Sequence, residues 1–188
     1  MYIILFSILA SAIFIMAPGQ RDPRPYPRGY SMPLRSQEPL YLMGYSSALN
    51  NSNITCVNTT FSSRTSQVVQ RFVHFNWKVD GHWFKVNWNV TLYLPKSPLV
   101  LTVNLTPSEY LKLYAGAKDQ YKIKYYNDHC VILGDAIEDI WVKPACSLWV
   151  KRNRTKNIPR MCKLYFESNC NDTHILDSSY WENCNGTS

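Results

Sequence analysis

The chain has 188 residues, a net charge of +7 and six cysteines, with 46% hydrophobic and 14% aromatic residues. That apolar content excludes intrinsic disorder. Seven glycines and the lack of a heptad or fixed repeat exclude collagen-like, coiled-coil and solenoid architectures, leaving one compact domain as the size expectation.

Met1 to Ala17 carries no charged side chain and is followed by Pro18, Gly19 and the first charge, Arg21. The run falls short of the roughly 20 apolar residues a spanning helix needs. It reads as a secretory signal over residues 1–19, with small Ala17 and Gly19 before the cleavage point at Gln20. No second run of spanning length follows, so the mature chain is expected to have no membrane partner. Residues 20–39 form a basic, Pro-rich arm that reads as an extended, solvated tail. Residues 40–188 are expected to form the folded domain.

Strand signals begin at Leu40–Tyr45 and Cys56–Phe61. The clearest lies between Val73 and Leu94. Val73, Phe75, Trp77 and Val79 alternate with polar residues; after Asp80-Gly81, so do His82, Phe84, Val86, Trp88, Val90, Leu92 and Leu94. Period-two alternation marks a strand with one buried face, and Asp-Gly is a two-residue hairpin turn. Pairing Val79 with His82, Trp77 with Phe84, Phe75 with Val86 and Val73 with Trp88 puts both apolar sets on one face, which a one-residue slip would destroy.

Further strands follow at Leu99–Leu105, Tyr121–Tyr125, Cys130–Leu133 and Cys146–Val150. A brief helical turn is expected from Glu109 to Leu113. The one convincing helix is Ile158–Cys170, whose apolar residues share a face, with Asn157 as its N-cap. About eight strands fit either a closed up-and-down barrel or a two-sheet sandwich, and spacing alone leaves both open.

Asn-x-Ser/Thr acceptors occur at Asn50, Asn53, Asn58, Asn89, Asn104, Asn153, Asn171 and Asn185. Composition alone would produce about two, so the excess supports a lumenal route. In that oxidising setting six cysteines read as three disulfides. His74, His82, His129 and His174 are scattered, with no zinc-type spacing to the cysteines, so no metal and no cofactor is expected. No nucleophile-elbow, zincin, Walker or dinucleotide motif is present, and adjacent Glu138 and Asp139 would project to opposite sides of a strand. An enzyme is therefore not expected. Basic residues cluster only at Lys151–Lys156, where a glycan on Asn153 would obstruct a nucleic-acid backbone; a heparin-like polysaccharide is the better polyanion there.

The segment Cys146-Ser-Leu-Trp-Val150, Asn157-Ile-Pro159, Cys162, Phe166 and Cys170 resembles the C-terminal signature of the tick salivary lipocalins, the histamine-binding-protein family. Tyr126-Asn-Asp-His-Cys130-Val-Ile-Leu133 and the terminal Cys184 are similar to it too. The match covers about Tyr121 to Cys184 and is thin before that. The resemblance implies an all-β, eight-stranded antiparallel up-and-down lipocalin barrel with one C-terminal α-helix. It also implies the pairs Cys56–Cys184, Cys130–Cys162 and Cys146–Cys170, one of fifteen possible sets.

A lipocalin uses its interior. The inward-facing candidates are Phe75, Trp77, Phe84, Val86, Trp88, Leu101, Val103, Tyr121, Ile123 and Tyr125, none of them acidic. Burying an amine without a carboxylate is costly. Where amine-binding members of the family carry acids near the late strands, this chain has Val131 and Ser147. Asp135, Glu138 and Asp139 are read as loop residues facing water. The resemblance thus implies a small apolar or amphipathic host mediator, an eicosanoid-like lipid before a biogenic amine, bound by a monomer. Its carboxylate would meet a cation such as Arg71; Lys122 and Lys124 alternate outward. The alternative is an inhibitor of a host complement or coagulation factor acting through outer loops, the basic arm and Lys151–Lys156 among them.

Overall fold

A computed structural model describes residues 31–94, 100–104, 112, 116–136 and 142–184. The signal segment, the arm as far as residue 30, all of the 109–113 turn but Lys112, Glu138, Asp139 and the acceptor Asn185 lie outside them.

Nine strands form one sheet: β1 (Leu40–Ser46), β2 (Ile54–Arg64), β3 (Val68–Val79), β4 (His82–Tyr93), β5 (Val100–Asn104), β6 (Gln120–Tyr126), β7 (Cys130–Asp135), β8 (Cys146–Lys151) and β9 (Thr173–Ile175). Sequential antiparallel neighbours run from β2 to β8, and β1 pairs with both β8 and β2, closing an eight-stranded barrel. The closing contact is short. Leu40 and Tyr41 face Thr59 and Asn58 of β2, and β1 then turns to pair Gly44–Ser46 with β9. Closure removes the free edges a sandwich would have kept.

The β3–β4 hairpin has the register that its alternation demands: Val79 opposite His82, Trp77 opposite Phe84, Phe75 opposite Val86 and Val73 opposite Trp88. Asp80 (φ 49°) and Gly81 (φ 83°) both take the left-handed region, the mirror-image turn that matches strand twist. β2 pairs with β3 along nearly all of that strand, to Ile54 opposite Trp77, and among the described residues β5 meets β4 at Thr91–Tyr93.

Helix α1 (Arg160–Asn169) packs on the outer wall and starts later than its sequence periodicity indicates. Pro159, not Asn157, occupies the N-cap, its carbonyl accepting the amides of Cys162 and Lys163; the amide of Asn157 bonds the Arg154 carbonyl instead. A short second helix, α2 (Ser178–Cys184), follows β9 and carries Trp181 edge-on against Tyr41. Neither short element has a sequence run long enough to announce it.

Two cores result. One fills the barrel, with Leu40, Val69, Leu101, Ile123 and Val131 essentially inaccessible. The other lies between the wall and α1, where Met43, Ile132, Leu148 and Val150 meet Phe166. Three disulfides join Cys56–Cys184, Cys130–Cys162 and Cys146–Cys170, the last two bolting β7 and β8 to α1 and its end.

The boundary at residue 40 needs correcting. Pro33–Arg35 form a 3-10 turn with Pro33 and Leu34 buried, and Leu34 belongs to the barrel core. These residues are part of the domain because an apolar side chain and three backbone carbonyls find partners inside it, as described next.

Candidate functional site

The barrel encloses a cavity of about 570 Å³, within the size range of small-molecule sites. One end is shut by the Pro33–Arg35 turn. Arg71 on β3 reaches under it: Nε donates to Thr59 Oγ1 (2.9 Å), Nη1 to the carbonyls of Leu34 and Ser36, and Nη2 to those of Glu38 and Thr59. Arg35 ties the same turn to the carbonyls of Ser66 and Leu94. Arg71 is fully buried, and burial lowers its pKa to about 10. The opposite end is the mouth, rimmed by Leu49–Asn51 after β1, Gly116–Lys118 before β6, Asp135 at the end of β7 and Ala145 before β8.

Of the side chains that alternation aimed inward, Phe75, Leu101, Val103 and Tyr121 line the cavity, joined by Val73, Val90 and Leu92 from the base of the hairpin. Trp77, Val86 and Trp88 pack against the interior core without lining this cavity, and Phe84 is 53% exposed. They share the lining's face, and Val86 and Trp88 lie directly across the hairpin from Phe75 and Val73, which do line the cavity. Ile123 is buried in the interior core without touching the cavity.

Tyr125 is a correction. A register shift between Ile123 and Tyr125 flips the strand, so Tyr125 points outward and stacks on Tyr165 of α1 at 4.8 Å. Lys124, at that shift, lies along Gly134 on the outside, and Lys122 is exposed.

The reading of the lining as acid-free also needs correction. Asp135 is the last residue of β7, 8% exposed, and lines the cavity. Val131 and Leu133 face inward on that strand, so continued alternation brings Asp135 to the same side; the signal was present two residues beyond where the apolar run ends. It forms an ion pair with Lys118 Nζ at 2.5 Å. The Tyr121 hydroxyl, directly across the β6–β7 ladder from Asp135, accepts the Lys118 amide at 2.8 Å, and burial raises its pKa. Trp149 and Ser147 were missed as lining in the same way: with Cys146, Leu148 and Val150 facing outward, the positions between them face inside, with Trp149 Nε1 donating to Ser147 Oγ. Val131 is buried in the barrel core.

Among the acceptors, Asn50, Asn53, Asn89, Asn104, Asn153 and Asn171 are exposed, and Asn58 is half-buried with Nδ2 on the Cys56 carbonyl. Arg152, Asn153 and Lys156 border a shallow cleft with Tyr41 and Trp181. The described residues hold no grouping of His, Cys, Asp and Glu suited to a metal ion. No described helix is long and apolar enough to cross a membrane.

A closed barrel with its helix-side disulfides and an enclosed cavity is what the tick family's signature implies, and the sequence profile described as "Tick histamine binding protein" matches residues 33–186. The chain belongs to that tick histamine-binding-protein family. Its start coincides with the buried turn at Pro33. Within the family, the chain is 32% identical to Japanin-like-RS of Rhipicephalus sanguineus over 174 residues, 89% of this chain and 88% of the relative. It is 32% identical to Japanin of Rhipicephalus appendiculatus over 149 residues, 76% of this chain and 78% of the relative. The solved structure of Japanin bound to cholesterol superposes with a TM-score of 0.69 at 29% identity, covering 78% of this chain and 96% of that one. A serotonin complex of AM182 is similar in fold alone, at TM-score 0.51 and 9% identity over 82% of this chain and 97% of that one.

Proposed function

We propose that this histamine-binding-protein family member is a secreted scavenger that holds one small, mainly apolar and uncharged lipid, of sterol kind, in its barrel. The observation that carries this reading is the state of the charges around an otherwise apolar cavity. Arg71, the cation at the closed end, has every donor engaged by a carbonyl or hydroxyl, so a lipid carboxylate would gain no hydrogen bond there without breaking one. Asp135 at the mouth already holds Lys118, so an amine there would lie against the like charge of an internal ammonium. A neutral ligand disturbs neither, and the likeness to cholesterol-bound Japanin supports the same class. Export after cleavage before Gln20, and damping of a host inflammatory or haemostatic response by withdrawing the lipid, complete the proposal; three disulfides fit the oxidising route.

The test is native mass spectrometry of the secreted, deglycosylated protein with cholesterol, a leukotriene-type carboxylate and serotonin. A one-to-one sterol complex with an N-terminus at Gln20 is the expected result. Preference for the carboxylate would return the eicosanoid reading, and preference for serotonin would overturn the charge argument. Trp149 should report occupancy by fluorescence quenching, whereas Trp77 and Trp88, off the cavity wall, should not.

A further inference from the structure

The cavity wall is apolar for most of its depth, and its polar atoms gather at two levels. At the closed end the five N–H donors of Arg71 make five hydrogen bonds, of 2.8–3.3 Å. A ligand hydroxyl at that depth would have to break one of these to make another. At the mouth the balance is reversed. Lys118 Nζ has three hydrogens and directs one at Asp135 Oδ1, whose carboxylate retains further acceptor capacity. Tyr121 Oη accepts the Lys118 amide, which leaves the phenol's own proton for donation. The Asp135 side chain is 12% exposed and that of Lys118 44%, so the pair straddles the boundary between cavity and water.

The geometry points to Lys118, Asp135 and Tyr121 as the ligand's polar subsite: the lipid enters apolar end first and leaves a single uncharged hydroxyl at the mouth, hydrogen-bonded into the ion pair. This inference rests on the neutral-lipid reading above. A hydroxyl donates and accepts, so it joins the pair without breaking it. Charged ligands cannot do so. An ammonium at Asp135 would lie against the like charge of Lys118, and a carboxylate at Lys118 against the like charge of Asp135, each in a partly desolvated site. Among the described residues Asp135 is the one acid on the wall, so Lys118 acts as a resident cation that keeps amines out.

The experiment uses the full secreted chain and two fluorescent probes, dehydroergosterol with its free hydroxyl and the corresponding methyl ether, titrated into the wild type, Asp135→Asn and Lys118→Met. The wild type should prefer the alcohol about 10-fold, the effect of one good hydrogen bond in a partly desolvated site. Each variant should reduce that preference to less than about 3-fold, since the site then lacks one half of the pair. Lys118→Met should in addition take up tryptamine, which the wild type rejects. Lys118 is exposed enough for its variant to keep the fold, as its unfolding midpoint would confirm. A preference unchanged in both variants, or equal binding of alcohol and ether by the wild type, would place the hydroxyl elsewhere and overturn the subsite. Failure of the wild type to bind either sterol would instead overturn the neutral-lipid reading on which it depends.

Discussion

Arg71 shows how one side chain can decide the shape of a cavity. Without a carboxylate in its hydrogen-bond set, it balances burial by holding four carbonyls and one hydroxyl, and so closes the barrel with the chain's own N-terminal turn. Lysine offers three donors on a point charge and cannot span that set. Arg71→Lys should therefore lower the unfolding free energy by about 3 kcal/mol, as buried carbonyls lose their partners; denaturant titration checks it. Tyr121 makes a second prediction. Burial first, then the charges of Asp135 and Asp119, raise its pKa above the ordinary 10.0, against the lowering effect of the Lys118 amide. A raised folded value means that the stabilisation is complete below pH 10 and is lost as pH climbs through the higher folded value. Phenolate absorbance should show a late-ionising tyrosine that Tyr121→Phe removes, and the variant's stability should fall less steeply above pH 10.

At the scale of elements, strand parity was legible and the bounds of the cavity were not. Alternation in β3 and β4 specified the hairpin pairing down to individual residues, because side-chain direction is a property of each strand alone. It could not say that Phe84, Val86 and Trp88 would lie off the cavity wall while Phe75 and Val73, across the hairpin from Val86 and Trp88, line it, because that depends on what other strands place against each side chain. Nor could it foresee the shift before Tyr125, a single irregularity that moves an aromatic ring from the lining to the helix interface. Gly44 marks the corresponding close approach on β1. A Cβ there would meet Phe166 Cε1 at 2.9 Å and the His174 carbonyl at 3.0 Å. Gly44→Ala should cost about 1–3 kcal/mol by forcing α1 off the wall. Its thermal midpoint should drop, while Gly81→Ala, with nothing within 4 Å but φ at 83°, tests strain without a clash.

For the molecule as a whole, the disulfides divide the labour by distance. Cys56–Cys184 spans 128 positions and ties β2 to α2, whereas Cys146–Cys170 spans 24 and secures α1 to β8. In the chain-entropy model the longer loop contributes more, about 4–5 against about 3 kcal/mol. Replacing Cys56 and Cys184 by serine should therefore destabilise more than replacing Cys146 and Cys170, which paired denaturation curves would show. The pairing itself came from family likeness, since any of the fifteen sets satisfies the count.

Local regularities carried the rest of what could be read without coordinates: an uncharged apolar run at residues 1–17, an excess of Asn-x-Ser/Thr motifs, an even cysteine number and strands with one apolar face. Each is a statement about neighbours along the chain. The cavity's character is a different kind of fact. Ser46 and Cys146, 100 positions apart, share a hydrogen bond, and Glu38 reaches Lys151 across the seam where the barrel shuts. Closure of that ring determined which of the hairpin's side chains became wall, brought Asp135 together with Lys118, and set the 33–38 segment over Arg71. Those outcomes depend on strands meeting in space, and no periodicity within a single strand encodes what its neighbours place across the barrel.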